Sequence, residues 1–162
     1  MWYIKLGITA LLAFITQTSL IHSFEIFSIV PNLLVVLTIC FSLVETNLLA
    51  SSVFGLACGF LLDAAGNGAV FGVNALLCML LALLCTYAGE KFFKGKFWVS
   101  MLFVLVAGML YEAVYYVLFL GMWQGGYLVY SLVHVVVPTA VYNLVFAVPL
   151  FLIVKRLRPA EQ

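Results

Sequence analysis

Long uninterrupted apolar runs, joined by breaks of only a few residues, constrain this chain more than any other feature. The runs cover residues 4–21, 26–44, 48–65, 70–88, 97–120 and 127–154. Each is close to the roughly 20 residues that an α-helix needs to cross a bilayer core. They are apolar on all sides, which favours helices over the alternating strands of a membrane barrel. The pattern predicts an all-α, polytopic integral membrane protein with six transmembrane helices forming one domain over 1–162.

The composition agrees with this prediction, because 67% of the residues are hydrophobic and 8% are charged. Soluble domains carry about 25% charged residues. Six spans use nearly the whole length of 162 residues. The chain therefore has no room for a fused soluble enzyme module.

The positions of the basic side chains predict the orientation in the membrane. The chain has seven lysines and arginines: Lys5, Lys91, Lys94, Lys96, Lys155, Arg156 and Arg158. With six spans and an inner amino terminus, all of them fall in the terminal segments or in the 89–96 loop. The connections at 22–25, 66–69 and 121–126 contain none. Because basic residues concentrate in cytoplasmic segments, both termini are predicted to be cytoplasmic.

Five polar side chains within or beside the apolar runs form a candidate polar cavity. Counting about 1.5 Å per helical residue places them all at one depth in the outer leaflet: Gln17, Asp63, Asn74, Glu112 and His134. Ionisable groups inside spans are costly and often functional. The alternative is structural: the first three cap helix ends or hydrogen-bond between helices, and Glu112 pairs with His134.

Small residues recur every four positions along the third run, at Ser51, Gly55 and Gly59, and end at Asp63. Such a stripe lets another helix approach closely. The sequence leaves open whether this face packs inside the protein or docks a partner.

Signals for catalysis, cofactors, metals and nucleic acid are missing from the sequence. It has no phosphate-binding glycine loop, no HExxH or GxSxG motif and no basic patch for nucleic acid. The four cysteines lie inside apolar runs without metal-ligand spacing and are interpreted as small buried apolar residues. We therefore predict no catalytic residue, no metal site, no cofactor and no nucleic-acid partner.

Three segments resemble a known family. They are PNLL at 31–34, GLACGFLLD at 55–63 and FGVNAL at 71–76, and together they look like the rod shape-determining protein MreD family. The residues that match the family motif are Pro31, Gly59, Asp63, Gly72 and Asn74. The last two runs match in hydropathy alone, so the resemblance assigns no role to Glu112 or His134.

The resemblance implies a multi-pass protein of the bacterial cytoplasmic (inner) membrane without enzymatic activity. It implies a scaffold of the cell-elongation machinery that docks the transmembrane helix of MreC, a single-span protein. Through MreC it would connect to MreB filaments and peptidoglycan synthases, with membrane lipids around it.

Two other functions are also considered. The family resembles the substrate-binding subunits of energy-coupling-factor vitamin transporters, in which case the polar band would line an outward-facing pocket for a small molecule of unknown identity. The third is an intramembrane enzyme that uses Asp63 and Glu112, which requires neighbouring helices.

Overall fold

The computed structural model describes residues 2–20, 31–66, 70–92, 97–123 and 136–158. These residues form six helices: α1 (Trp2–Leu20), α2 (Leu33–Val44), α3 (Leu48–Ala64), α4 (Val73–Phe92), α5 (Phe97–Trp123) and α6 (Val137–Leu157). The predicted all-α class is therefore confirmed. Three segments, Val73–Lys91, Phe97–Leu118 and Val137–Leu157, are long and apolar enough to cross a membrane, and α2 and α3 are shorter apolar helices.

One helix, α2, begins later than its apolar run predicts. The described part of α2 begins at Leu33 because Asn32 caps it, with the Asn32 side chain accepting from the Val35 N–H at 3.4 Å. Pro31 precedes the helix instead of lying in its first turn. In the described part of α6, Pro138 lies in the first turn, where proline is tolerated, and Pro149 lies inside the helix.

The central element is α2, which packs against all five of the other described helices. Residues 33–43 are all buried, and none is more than 7% exposed. At 12 residues the helix is about 18 Å long, well short of a bilayer core of about 30 Å. Its ends therefore lie among protein groups, and those groups have to satisfy its terminal amides and carbonyls.

Side chains from other helices satisfy both ends of α2. At the amino end, the Asn32 N–H donates to Asn143 Oδ1 at 2.8 Å and the Leu34 N–H donates to Gln17 Oε1 at 3.3 Å. At the carboxyl end, the guanidinium of Arg158 donates to the carbonyl oxygen of Val44. Gln17 on α1, Asn143 on α6 and Arg158, which directly follows α6, thus supply hydrogen-bond partners at both ends of the central helix.

The small-residue face of α3 packs directly on α4. A Cβ added at Gly55 would lie 2.6 Å from the carbonyl oxygen of Cys78, and one added at Gly59 would lie 2.3 Å from that of Asn74. Ser51, at the start of the same face, is fully buried. The face is occupied by a helix of the same chain, so a partner has to dock elsewhere.

Apolar side chains cover the outside of the bundle. Large exposed ones occur along every helix except α2, including Ile8 on α1, Val53 on α3, Leu80 on α4, Val106 on α5 and Val145 on α6. Such a surface is favourable against lipid and unfavourable against water. The fold is that of a membrane protein.

Candidate functional site at the amino end of the central helix

Asp63 joins the end of α3 to the start of α4. Its carboxylate accepts hydrogen bonds from the backbone N–H groups of Gly72 at 3.0 Å, Asn74 at 3.3 Å and Ala75 at 3.0 Å. The first amides of a helix have no partners within it, and the helix dipole favours an anion there. Asp63 therefore caps α4, which is the structural role given above as the alternative to a cavity-lining one.

Gly72 makes this cap possible through its backbone conformation. Its φ is +98°, a value that side-chain-bearing residues rarely adopt. The turn brings the Gly72 N–H back to Asp63. Two residues of the family motif thus act together in one local structure.

Asn74 connects α4 to α5. Its side chain is buried, and its Oδ1 accepts a hydrogen bond from the Tyr111 hydroxyl at 2.7 Å. The Tyr111 and Tyr115 rings stack with centroids 6.3 Å apart and an interplanar angle of 11°. Sequence analysis missed both tyrosines, although their spacing of four residues beside Glu112 places them on one helix face.

A cavity of about 60 Å³ lies where these groups meet α2, and it is lined by Asn32, Leu62, Asn74, Tyr111, Glu112 and Tyr115. This volume is enough for a few water molecules. Glu112 is 9% exposed. Among the described residues, no hydrogen-bond donor or basic group pairs with its carboxylate.

The five residues of the predicted polar band are distributed as follows. Asn74 and Glu112 line the cavity, whereas Asp63 and Gln17 lie at the amino ends of α4 and α2 and serve as caps. His134 lies outside the described residues, so its pairing with Glu112 stays a prediction. Asn143, which sequence analysis did not single out, belongs to the same polar layer.

Metal-ligand chemistry finds no support in the described part of the chain, where no group of three or more histidine, cysteine or acidic side chains comes together. The four cysteines, Cys40, Cys58, Cys78 and Cys85, are buried and unpaired. Asp63 is committed to three backbone amides. It is therefore poorly placed to act as the second carboxylate of a catalytic dyad with Glu112.

Comparison with known proteins gives one match. The family model described as rod shape-determining protein MreD matches residues 2–158. No curated protein matches the chain, and no solved structure does.

Proposed function

Since this chain belongs to the rod shape-determining protein MreD family, whose role is in determining rod shape, we propose that it is a non-enzymatic scaffold that docks the transmembrane helix of MreC. The scaffold sits in the bacterial inner membrane and crosses it six times with both ends in the cytoplasm. The charge distribution supports this orientation, since Lys91 lies in the last turn of α4 and Lys155 and Arg156 lie in the last turn of α6.

The outward face of α1 is the surface that we assign to MreC. This helix contacts α2, α3 and α6 but neither α4 nor α5, so it lies at the edge of the bundle. Its exposed side includes Ile4, Ile8 and Leu11. Gly7 lies on the same side, is exposed, and has no atom within 4 Å of the position of an added Cβ.

The exposed Gly7 is the observation that carries this assignment. Apolar side chains alone do not distinguish a docking face from a lipid-facing one, because lipid solvates them equally well. Small residues matter because they let two helix backbones approach closely and gain van der Waals contact. The helical glycines at 55, 59 and 89 are buried against other helices of this chain, and Gly108 is buried too, although an added Cβ there would meet no atom within 4 Å. An exposed glycine within an apolar face therefore favours contact with a partner helix.

The test compares two leucine substitutions on lipid-facing surfaces. Gly7→Leu adds a bulky side chain to the α1 face, and Ala57→Leu adds one to an exposed position on α3. Each tagged variant is co-expressed with MreC, purified in mild detergent and analysed by mass spectrometry for partners and small molecules. We expect Gly7→Leu to reduce recovery of MreC about tenfold, equivalent to about 1.4 kcal/mol of binding free energy, and Ala57→Leu to leave recovery unchanged.

Two results would contradict the proposal at different levels. If Gly7→Leu recovers MreC normally, MreC docks on a face other than that of α1. If the unsubstituted chain recovers neither MreC nor MreB and peptidoglycan synthases, the proposed scaffold role is wrong. The vitamin-transporter alternative predicts recovery of an ATPase and a vitamin instead. A cavity of about 60 Å³ does not favour that alternative, because it holds a few water molecules and not a vitamin.

A further inference from the structure

Among the described residues of the predicted polar band, Glu112 is the one that the structural roles above do not explain. Gln17, Asn32 and Asn143 serve the amino end of α2, and Asp63 serves that of α4. By contrast, Glu112 is nine-tenths buried as a residue, and its carboxylate has no donor or cation within the described residues. A buried carboxylate is strongly unfavourable unless a cation or hydrogen-bond donors compensate it.

The groups around Glu112 limit what kind of ligand can compensate it. The cavity walls supply the rings of Tyr111 and Tyr115 and the side chains of Asn32 and Asn74. A carboxylate beside tyrosine rings attracts a cation by charge and by the electron-rich ring faces, whereas it repels an anion. The amide oxygens of Asn32, Gln17 and Asn143 accept hydrogen bonds from backbone N–H groups at the amino end of α2, so Glu112 does not serve as an acceptor for these groups.

Metal ions fit these walls poorly. Mg²⁺ and Ca²⁺ require six or more oxygen ligands, usually with several carboxylates, and among the described residues Glu112 is the one carboxylate that lines the cavity. An ammonium group needs fewer and less regular contacts. Its N–H groups donate to carboxylate, amide and hydroxyl oxygens, and its charge interacts with tyrosine rings.

We propose that this cavity binds a primary ammonium group on a short alkyl chain, with Glu112 as its counter-ion. A volume of about 60 Å³ suits such a group but not a sugar or a nucleotide. The cavity lies at the level where α3 ends and α4 begins, near Asp63 and Asn74, which is one end of the bundle. The ammonium group therefore comes either from an aminophospholipid head group or from a free small amine, and this binding does not depend on the docking of MreC.

The test uses the full chain in detergent and measures its thermal unfolding midpoint with ethanolamine hydrochloride. Sodium chloride at equal ionic strength and ethylene glycol, the uncharged analogue, are the comparisons. Two matched variants are Glu112→Gln in the cavity and Glu90→Gln at an exposed position on α4. We expect ethanolamine to raise the midpoint of the unsubstituted chain and of Glu90→Gln in a saturable manner, and to have no effect on Glu112→Gln.

The same measurement in lipid nanodiscs identifies the source of the ammonium group. Stabilisation by phosphatidylethanolamine relative to phosphatidylglycerol, lost in Glu112→Gln, would show that the ligand is a lipid head group. Stabilisation by free ethanolamine in both lipids would show that it is a small amine.

Three results would overturn the proposal. The first is an equal shift with sodium chloride, and the second is an equal shift with ethylene glycol. The third is an undiminished shift in Glu112→Gln. The comparison of solutes on the unsubstituted chain remains decisive even if Glu112→Gln fails to fold.

Discussion

Gly59 offers the most direct test of how α3 and α4 pack. A Cβ added there would lie 2.3 Å from the carbonyl oxygen of Asn74 and 2.5 Å from the Cα of Ala75. Both are backbone atoms of α4, so no side-chain rotation relieves the contact. Gly59→Ala therefore has to push the two helices apart by about 1 Å before the Cβ reaches an ordinary van der Waals distance of 3.4 Å.

The free-energy cost of Gly59→Ala depends on the contacts that change when α4 is displaced. Overpacking of this kind costs about 1–3 kcal/mol. Moving the start of α4 also lengthens the three hydrogen bonds that Asp63 accepts, at 3.0, 3.3 and 3.0 Å, and bonds to a charged group contribute about 1.5–3 kcal/mol each. Alanine recovers about 0.5–1 kcal/mol of helix propensity. We expect Gly59→Ala to lower the free energy of unfolding by about 2 kcal/mol or more.

The matched control is Gly7→Ala on α1, where an added Cβ has no atom within 4 Å. It should change the free energy of unfolding by less than about 1 kcal/mol, and in the stabilising direction. Both variants are unfolded by increasing the mole fraction of dodecyl sulfate in mixed micelles while helicity is followed by circular dichroism. If Gly59→Ala and Gly7→Ala unfold alike, the described contact between α3 and α4 is incorrect.

Two further predictions concern helix ends. Asp63→Ala leaves three backbone amides, two of them buried and that of Gly72 half-buried, without their acceptor. A buried amide without a partner costs about 1–3 kcal/mol, so in the same assay Asp63→Ala should destabilise far more than Asn47→Ala, which removes the exposed cap of α3 and costs about 1 kcal/mol. Arg158→Ala removes the donor to the last carbonyl of α2 and should cost about 0.5–1.5 kcal/mol, whereas Arg156→Ala, at an exposed position, should be neutral. If the two variants of either pair lower the free energy of unfolding equally, the hydrogen bonds assigned to Asp63 or to Arg158, respectively, are incorrect.

Hydropathy predicted the bounds of α3 closely because it depends on residues that are neighbours along the chain. It placed α3 at 48–65, and the helix runs from Leu48 to Ala64. The start of α2 was less predictable, because an apolar run continues through residues that precede the Asn32 cap. Local capping, and not hydropathy, determines where that helix begins.

The candidate site was predictable only in part, for a related reason. Counting residues along each helix gave the depth of each side chain in the membrane. Asp63, Asn74 and Glu112 were assigned to one site because their depths agree. Depth could not show which helices are neighbours. The bond between Asn32 and Asn143 joins residues 111 positions apart, and that between Tyr111 and Asn74 joins residues 37 apart. Such pairings depend on three-dimensional packing that no local pattern encodes.

The capping of α2 by distant residues has a consequence for biosynthesis. Gln17 leaves the ribosome before α2, but Asn143 and Arg158 leave it only when the last helix is made. Until then, the most buried helix of the protein has unsatisfied groups at both ends and is too short to span the bilayer alone. A nascent chain that stops before α6 would therefore expose an unfinished core to membrane proteases. Both ends of α2 therefore obtain their full set of side-chain partners only after α6 has been made.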